Sequence, residues 1–578
     1  MSCLYTDEKN VQIIISLLKE HNIRKVVASP GTMNVTFIGS IQNDDFFEIY
    51  SSVDERSAAY IACGLAEESR EPVIITCTGA TASRNYMPGL TEAYYRKLPI
   101  LALTATPPIG RIGNNLPQII DRTNQLNDTF KKCIFINSIN NLEDENDCIN
   151  KVNDALLELT RNGGGPVNLN YVSFASRNFC VKELPKVRKI VRYTMEDELP
   201  SLDDKKIGIF IGAHKKMSSE LINEIEKFCE KYDSLVLCDQ TSNYNGKYGI
   251  SASLIMQQDA YLSNCNCFDV IIDIGDVSGA YIKFKTKVSW RVNQDGEIRH
   301  RNYPIKNVFE MSELYFFQKY NSKKTTNTKL KFYYQWAEED ENIRKMIPEL
   351  PFSNVWIAQN MFDKLPSNSI LYLGILNTLR SWNYCPLLKH QTVYCNTGGF
   401  GIDGTLSSLL GASLCSDKIS IGICGDLAFF YDMNSLGNRF LKNNVRIMVI
   451  NNGKGTEFRN YSHMASQFGE KADEYIAAAG HYGNKSKKLI KNYCESLGFK
   501  YISATSKQEF IKHIDYFLST ENYNYPIVFE VFTNSEMESE ALKIIRNLKT
   551  TLKGKVKEKI GKTLSTDTKE KIKKLIGR

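Results

Sequence analysis

Apolar runs of strand length recur along the chain and alternate with segments whose apolar residues follow helical spacing. Val73–Cys77, Ile100–Thr104 and Val445–Ile450 have the length and composition of buried strands. Residues 11–18 instead show the spacing of an amphipathic helix. Because strands and helices alternate, the sequence predicts parallel, doubly wound sheets, and the expected fold class is α/β.

The same pattern, together with changes in composition, divides the chain into three expected α/β domains and a tail. The first domain covers residues 1–185, the middle domain residues 186–345 and the third domain residues 346–540. From residue 541 onwards, lysines fill the gaps between apolar residues that recur at every fourth position. Residues 541–578 are therefore predicted to form a basic amphipathic tail.

The clearest candidate chemistry follows two neighbouring strands of the third domain. The strand 419–424 runs into Asp426, a helix is predicted over residues 432–442, and the strand 445–450 runs into Asn452. Both strand ends should meet at the carboxyl edge of a parallel sheet, where α/β proteins bind ligands. Carboxylate and amide oxygens suit a Mg²⁺ ion that is also held by a diphosphate. The alternative for Asp426 is a strand-end turn or a helix cap.

This arrangement resembles the metal–diphosphate motif of thiamine-diphosphate (ThDP) enzymes, and most closely that of the MenD-like (SEPHCHC synthase-like) branch. The resemblance implies ThDP and Mg²⁺ as cofactors, with the metal held by Asp426, Asn452 and the backbone carbonyl of Lys454. It also implies that the first domain binds the pyrimidine and the third binds the diphosphate. The implied cofactor contacts in the third domain are Gly398, Gly399, Gly401, Ile402, Gly425, Asp426, Leu427, Ala428 and Asn452.

A glycine-rich turn, residues 396–405, precedes a predicted helix over residues 406–412. Such a turn at a helix N-terminus is typical of a phosphate-binding site. The alternative is a tight turn that needs glycine only for its backbone conformation. The turn also resembles the Gly-Ile-Asp-Gly signature of the MenD-like branch, in which Ile402 is implied to hold the cofactor bent.

Glu55 is the second anchor of the resemblance, because it follows a predicted strand and precedes a helix rich in small residues. In ThDP enzymes a glutamate in this setting binds the aminopyrimidine ring and helps to activate the cofactor. The alternative is an acid at a helix N-terminus that is stabilised only by the helix dipole. Gln118 is implied as a second catalytic residue. Further implied cofactor contacts are Pro30, Gly31, Thr81 and Asn85.

The substrate pocket departs from the pattern of the MenD-like branch. Two arginines that bind dicarboxylate substrates there are missing, because the matching regions read Thr32-Met33-Asn34 and Asn396-Thr397-Gly398. Loss of a bidentate clamp is not conservative, so 2-oxoglutarate and isochorismate are not expected as substrates. Six basic residues near the motif loops are candidates for binding another anion, the alternative for each being a solvated surface charge: Arg84, Arg96, Lys97, Arg122, Lys454 and Arg459.

The expected activity is ThDP- and Mg²⁺-dependent decarboxylation of a 2-oxo acid donor, with transfer of the acyl carbanion to an unidentified acceptor, in surface polysaccharide or related biosynthesis. One alternative is the MenD synthase reaction itself, with substrate arginines from elsewhere. The other is a non-catalytic binding protein that keeps the ThDP fold. The family implies a homodimer or homotetramer. No FAD is expected, because the middle domain lacks a dinucleotide-binding glycine loop.

The net charge of +7 is concentrated at the C-terminus. Residues 543–578 hold 13 Lys/Arg and 3 Asp/Glu, which leaves a net charge of about −3 for the preceding residues. Nucleic-acid binding by the body is therefore not expected. A basic amphipathic helix fits an anionic membrane surface, although a solvated tail or nonspecific nucleic-acid binding are alternatives.

A cytoplasmic protein is expected, with peripheral association at the inner membrane face through the tail. The chain shows no apolar run of membrane-spanning length and no signal peptide. Its 15 cysteines are scattered without metal-ligand spacing, which is typical of reduced thiols.

Overall fold

The computed structural model describes residues 4–551 apart from 123–124, 262, 264, 281, 283, 300, 302, 324–329 and 482–484. The chain divides into two compact units. The first consists of residues 1–193 with 297–299 and 305–308. The second consists of residues 194–296, 300–304 and 309–578.

The first unit is built on one parallel sheet with helices along the chain between its strands. Its elements are β1 (Tyr5–Thr6), α1 (Lys9–Glu20), β2 (Lys25–Ala28), α2 (Val35–Ile41), β3 (Glu48–Ser51), α3 (Glu55–Ser69), β4 (Val73–Cys77), α4 (Thr81–Asn85), α5 (Met87–Tyr95), β5 (Ile100–Thr106), β6 (Lys132–Ile136), α6 (Leu142–Glu158), β7 (Val167–Val172), β8 (Phe179–Val181) and β9 (Val191–Tyr193). The sheet order is β3-β2-β4-β5-β7-β6, and every pairing is parallel. All residues of β4, β5 and β7 are buried, as expected for central strands covered on both faces.

The second unit contains two parallel sheets. The elements of the first sheet and the helices around it are β10 (Ile207–Ile211), α7 (Ser219–Tyr232), β11 (Leu235–Cys238), β12 (Gly249–Ser251), α8 (Ser253–Met256), β13 (Cys267–Ile274), β14 (Lys285–Asn293), β15 (Ile305–Glu310), α9 (Glu313–Ser322) and α10 (Lys331–Lys345). Strand β15 has residues in both units, because residues 305–308 are assigned to the first. Strands β12, β11, β10, β13 and β14 are neighbours in that order and pair in parallel.

The second of these sheets carries the Asp426 motif. Its elements are α11 (Asn354–Met361), β16 (Ile370–Leu373), α12 (Asn377–Trp382), β17 (Thr392–Tyr394), α13 (Thr405–Leu414), β18 (Ser420–Gly425), α14 (Asp426–Asp432), β19 (Val445–Asn451), α15 (Ala472–Tyr475), α16 (Leu489–Ser496), β20 (Lys500–Ala504), α17 (Lys507–Phe517), β21 (Ile527–Phe532) and α18 (Ser535–Ile545). The strand order is β17-β16-β18-β19-β21-β20, again all parallel.

The expected α/β fold with three parallel sheets is therefore confirmed. Within the second unit, one apolar core includes residues of both sheets, among them Phe210, Leu237, Ile423 and Val531. The three-domain division and its boundaries remain a prediction. No helix in the described part of the chain is both long enough and apolar enough to span a membrane.

One predicted helix is wrong. The sequence predicts a helix over residues 432–442, whereas α14 begins at Asp426 and gives way to a 3₁₀ turn at Met433–Gly437. The side chains of Phe429 and Phe430 are buried in the core, which explains why the helix begins directly after β18. Gly437 and Asn438, both poor helix formers, end the turn.

The beginning of the predicted tail packs against the second unit. Helix α18 continues to Ile545, and Ile544 and Leu548 pack against its core. Beyond the helix, the Thr551 N–H donates to the Ala260 carbonyl at 2.8 Å. The remaining residues of the predicted tail, 552–578, lie outside the described residues, so its amphipathic character stays a prediction.

Candidate active site

Glu55 is the first residue of α3 and lies just past the carboxyl end of β3. Asp54 forms the N-cap, and its carboxylate accepts a hydrogen bond from the Ser57 N–H at 3.2 Å. The Asn85 Nδ2 at the end of α4 donates to Glu55 Oε2 at 3.1 Å. The fold thus brings together two predicted site residues that lie 30 positions apart in the sequence.

At Gly31 only a residue without a side chain fits, because the turn after β2 lies close to the turn after β4 at the carboxyl edge of the first sheet. A methyl group on Gly31 would lie 2.6 Å from the Cβ of Thr78, which follows β4. Pro30, beside it, is exposed. Thr81 is also exposed and begins α4. These residues line the edge of the sheet to which Glu55 and Asn85 belong.

The turn that precedes α4 is strained. Ala80 has φ 58° and ψ −136°, a backbone conformation that residues with a Cβ rarely adopt. Leu376 has a similar conformation, φ 68° and ψ −114°, before α12 in the second unit. Strain of this kind concentrates at functional sites because the surrounding structure must hold it in place.

Gln118 has a different setting from Glu55. It is exposed, has φ 62° and lies in the irregular stretch that precedes β6. Among the described residues it makes no hydrogen bond with Glu55 or Asn85. Its catalytic role therefore remains a prediction.

Asp426 lies at the start of α14, where β18 ends beside β19. Its side chain is only 5 % exposed, and its Oδ2 accepts a hydrogen bond from the Gly453 N–H at 3.1 Å. Burial raises the pKa of Asp426 to about 7, with a smaller contribution from the nearby Glu530, although backbone N–H groups act in the opposite direction. A buried carboxylate without a cationic partner is a strained arrangement that a bound cation would relieve.

Asn451 and Asn452 have different environments. Asn451 ends β19 and its Nδ2 donates to Glu530 Oε1 at 2.7 Å. The Oδ1 of Asn452 is buried and accepts no hydrogen bond within the described part of the chain. A buried amide oxygen without a hydrogen bond is able to act as a ligand to a metal ion. The Lys454 carbonyl accepts one hydrogen bond, from the Thr456 N–H at 2.8 Å, which leaves its second lone pair.

The glycine-rich turn leaves open space in front of α13. A methyl group added to Gly398 or Gly399 would meet nothing within 4 Å, and both glycines are exposed. Gly404 has φ 86° and forms the N-cap of α13. Gly401 and Ile402 are half-buried. The open backbone at a helix N-terminus suits a phosphate group.

Comparison with known proteins shows which proteins the chain is similar to. Residues 9–126 match the family model described as "Thiamine pyrophosphate enzyme, N-terminal TPP binding domain". Nearly the whole chain aligns with relatives named 2-succinyl-5-enolpyruvyl-6-hydroxy-3-cyclohexene-1-carboxylate synthase. This name is abbreviated to SEPHCHC synthase. The protein of Phocaeicola vulgatus is 29 % identical over 93 % of this chain and 98 % of its own. The protein of Bacteroides fragilis is 29 % identical over 93 % of this chain and 99 % of its own. The protein of Flavobacterium psychrophilum is 26 % identical over 92 % of this chain and 97 % of its own.

This chain is a thiamine-diphosphate-dependent enzyme, and it is similar to proteins of the MenD-like branch. Its residues fit the cofactor, because the buried Asp426, the orphaned Asn452 oxygen and the free lone pair of Lys454 form a set of hard oxygen donors. No group of three or more His, Cys, Asp and Glu side chains capable of holding a metal occurs among the described residues. Of these four residue types, only Asp426 belongs to the candidate donor set.

The structure separates the six candidate cations of the ThDP enzyme into paired and unpaired groups. Lys454 Nζ and Arg459 Nη1 both contact Asp473, at 2.7 and 2.6 Å. Arg96 pairs with Glu67 and Glu92 on the surface. Lys97 lies at the amino end of β5, away from the carboxyl edge.

Arg84 and Arg122 of the ThDP enzyme lack an acidic partner among the described residues. Arg84 is exposed, and its Nη2 donates to the Asp121 carbonyl at 3.1 Å. Arg122 is buried and donates to two neutral oxygens. Of the six candidates, these two keep their charge available for an anion at the carboxyl edge of the first sheet.

An ion pair that the sequence patterns missed lies beside the predicted metal loop. The guanidinium of Arg380 on α12 makes a bidentate pair with Glu457, at 2.6 and 2.9 Å. Asn377 and Asn460 complete the network. Nothing in the sequence motifs signals this pair, because its members are 77 positions apart and belong to no recognised pattern.

A cavity of about 1080 Å³ lies at the amino-terminal edge of the sheet that carries Asp426. It is lined by residues at the amino ends of β16, β18 and β19, including Ser369, Ile419 and Asn444. The candidate cofactor residues stand at the carboxyl ends of these strands. The cavity therefore lies away from the candidate cofactor residues.

Proposed function

We propose that this ThDP enzyme decarboxylates a 2-oxo acid and transfers the remaining carbon unit to an acceptor, and that its reaction is SEPHCHC synthesis. Similarity along nearly the whole length of synthases with this name supports the proposal. The single structural observation that carries it is the buried Asp426 beside the orphaned oxygen of Asn452. This reaction now stands ahead of a role in polysaccharide synthesis, which the comparisons do not support.

Each implicated residue has a role in the proposed enzyme. Asp426, Asn452 and the Lys454 carbonyl would hold a Mg²⁺ ion, and the open backbone at Gly398 and Gly399 would receive the diphosphate. Glu55 would hold a proton at the aminopyrimidine, with Asn85 fixing the orientation of the carboxylate. ThDP, when bound, supplies the electron sink for decarboxylation.

A second candidate function is carboligation with a different 2-oxo acid. It is favoured by Met33 and Thr397, which stand where the MenD-like branch carries substrate-binding arginines. Arg380 does not replace them as an available cation, because Glu457 neutralises it. The choice between the two candidates concerns the donor and acceptor rather than the cofactor chemistry.

Proton NMR of the purified full-length protein with ThDP and Mg²⁺ tests the proposal. The donors are 2-oxoglutarate, pyruvate, phosphonopyruvate and branched 2-oxo acids, each supplied alone, with isochorismate and with a trapping aldehyde. Glu55→Gln should abolish consumption of the donor, whereas Glu68→Gln on the exposed face of α3 should leave it intact. A homodimer or homotetramer is part of the proposal and is checked by light scattering.

The outcomes separate the two candidates. Consumption of 2-oxoglutarate that requires isochorismate would support SEPHCHC synthesis. Consumption of another 2-oxo acid in preference to 2-oxoglutarate would support the second candidate. If ThDP binds and no donor is consumed under any condition, the proposal of a catalytic function is overturned, and a non-catalytic binding protein is left.

A further inference from the structure

Arg122 is a buried cation at the carboxyl edge of the first sheet. It is 5 % exposed, and its Nη1 donates to Thr104 Oγ1 at 2.8 Å. Its Nη2 donates to the Ala105 carbonyl at 3.3 Å. Both acceptors are neutral and lie near the carboxyl end of β5. The guanidinium thus has hydrogen bonds but no compensating negative charge in the described part of the chain.

A buried charge without a counter-charge is costly, and proteins rarely keep one for structural reasons alone. Burial lowers the pKa of Arg122 to about 10, and the nearby Arg84 acts in the same direction. Since this value lies well above neutral pH, Arg122 is still protonated under physiological conditions. Its charge is therefore present, and it has no acidic partner in the part of the chain that the structure describes.

Arg84 adds a second cation next to the first. It is exposed on α4 and within electrostatic range of Arg122. Two guanidinium groups repel each other unless an anion lies between or beside them. Among the described residues no acidic side chain pairs with either guanidinium, which is the arrangement expected at an anion-binding site.

The two arginines lie beside the residues that face the cofactor. Asn85, which holds Glu55, is the next residue after Arg84. Arg122 follows Gln118 by four positions. Its Nη2 would lie 3.4 Å from a methyl group placed on Gly79, in the turn between β4 and α4. The pair therefore belongs to the edge of the sheet where the donor is expected.

We infer that Arg122 and Arg84 form an anion-binding pair that receives a second acidic group of the donor, a carboxylate or a phosphonate. This inference rests on the proposed function. The reacting carboxylate of a 2-oxo acid loses its charge when CO₂ leaves, so binding it tightly would stabilise the substrate rather than the transition state. A second acidic group keeps its charge throughout, and binding it costs nothing at the chemical step.

The competing explanation is that Arg122 only anchors the loop that carries Gln118. Its hydrogen bonds to Thr104 and Ala105 would serve that purpose. An anchor acts on every donor alike, whereas an anion-binding pair distinguishes donors with and without a second acid. The preference between donors is therefore the decisive measurement.

The experiment compares kcat/KM for 2-oxoglutarate, phosphonopyruvate and 2-oxopentanoate, the last of which lacks a second acidic group. The proteins are the wild type, Arg122→Gln, Arg122→Lys, Arg84→Gln and the surface control Arg96→Gln. We expect Arg122→Gln to lower the preference for the diacid at least about 100-fold, with little change for 2-oxopentanoate. Arg122→Lys should retain part of the preference, because lysine keeps the positive charge but cannot make the bidentate hydrogen bonds of a guanidinium. Arg96→Gln should match the wild type.

Equal losses for all donors in Arg122→Gln would overturn the inference in favour of an anchor, and an unchanged preference would also overturn it. The two diacids identify whether the second group is a carboxylate or a phosphonate. If the wild type consumes no donor, the proposed function fails, and the inference is judged by thermal shift with glutarate or inorganic phosphate. Stabilisation of the wild type but not of Arg122→Gln would uphold the anion pair, whereas no stabilisation by either anion would refute it.

Discussion

At the residue scale, the candidate site depends on side chains whose surroundings differ sharply. Asp426 is buried with a raised pKa, whereas Glu55 is half-buried and held by Asn85. The sequence predicts both acids from their positions at strand ends. It does not predict that Asn451 would turn to Glu530 while the Asn452 oxygen stays without a hydrogen bond. That difference depends on Glu530, which lies on β21 and is 79 positions away from Asn451 in the sequence.

Asn85→Ala should lower kcat about 10-fold, because loss of a hydrogen bond to a charged group costs roughly 1.5–3 kcal/mol when it is well formed. The bond joins Asn85 Nδ2 and Glu55 Oε2 at 3.1 Å, and without it the carboxylate is free to rotate. The measurement is kcat with the donor identified by NMR, at saturating ThDP. Asn146→Ala on the exposed face of α6 serves as the control. An unchanged kcat in Asn85→Ala would show that the bond has no catalytic role.

Glu538 predicts a pH dependence of stability. Its carboxylate is buried, accepts hydrogen bonds from the Asn354 N–H and the Thr533 hydroxyl, and has its pKa raised to about 7 by burial. A carboxyl group with a raised pKa in the folded state stabilises the fold fully below the unfolded pKa of 4.5, and this contribution is lost as pH rises through 7. Between pH 5 and 7 the group should thus lower the free energy of unfolding by about 2 kcal/mol.

Thermal or urea unfolding at several pH values checks this expectation. Glu538→Gln mimics the protonated carboxyl group and should flatten this part of the pH profile, with its largest gain in relative stability above pH 7. Glu540→Gln, an exposed residue on the same helix, should leave the profile unchanged. A parallel pH profile for Glu538→Gln and the wild type would contradict the raised pKa.

At the element scale, the site residues are placed by turns that join strands to helices. The runs at β4, β5 and β19 predict these strands almost residue by residue, because fully buried strands are continuous apolar runs. The helix after β18 is misplaced by the sequence pattern. Its start is decided by burial of Phe429 and Phe430 against α13 and β19, which local spacing does not reveal.

Ala80→Gly should stabilise the protein by about 1 kcal/mol, because glycine adopts φ 58° and ψ −136° without the penalty that a Cβ carries. The shift in the urea midpoint measures the effect. Ala82→Gly, two residues further on inside α4, is the matched control and should destabilise by about 1 kcal/mol or more. Destabilisation by both substitutions would mean that Ala80 is not strained.

At the scale of the whole molecule, the chain combines two compact units with a basic C-terminal segment. The described residues 541–551 pack against the second unit, so only residues 552–578 remain candidates for the proposed membrane contact. Ten of these 27 residues are Lys or Arg and three are Asp or Glu. Charge of this density is sufficient for attraction to anionic lipid, at roughly 1 kcal/mol per basic residue near the surface.

Deletion of residues 552–578 should abolish co-sedimentation with vesicles that contain phosphatidylglycerol, without loss of enzymatic activity. The full-length protein should bind these vesicles at low salt, bind less at high salt and ignore phosphatidylcholine vesicles. Equal binding by the full-length and shortened proteins would contradict a role for this segment. Tight binding of the segment to DNA instead of lipid would favour the nucleic-acid alternative.

The sequence by itself determined the α/β class, the parallel sheets and the placement of Glu55, Asp426 and Asn452 at strand ends. These properties follow from local periodicity and from the rule that parallel strands share one carboxyl edge. Only the tertiary structure decided which charges are available for a ligand. Lys454 and Arg459 share the carboxylate of Asp473, whereas Arg122 is buried with no acidic partner among the described residues. The reason is that a side chain's partner is chosen by distance in space, which residues far apart in the sequence determine only after folding.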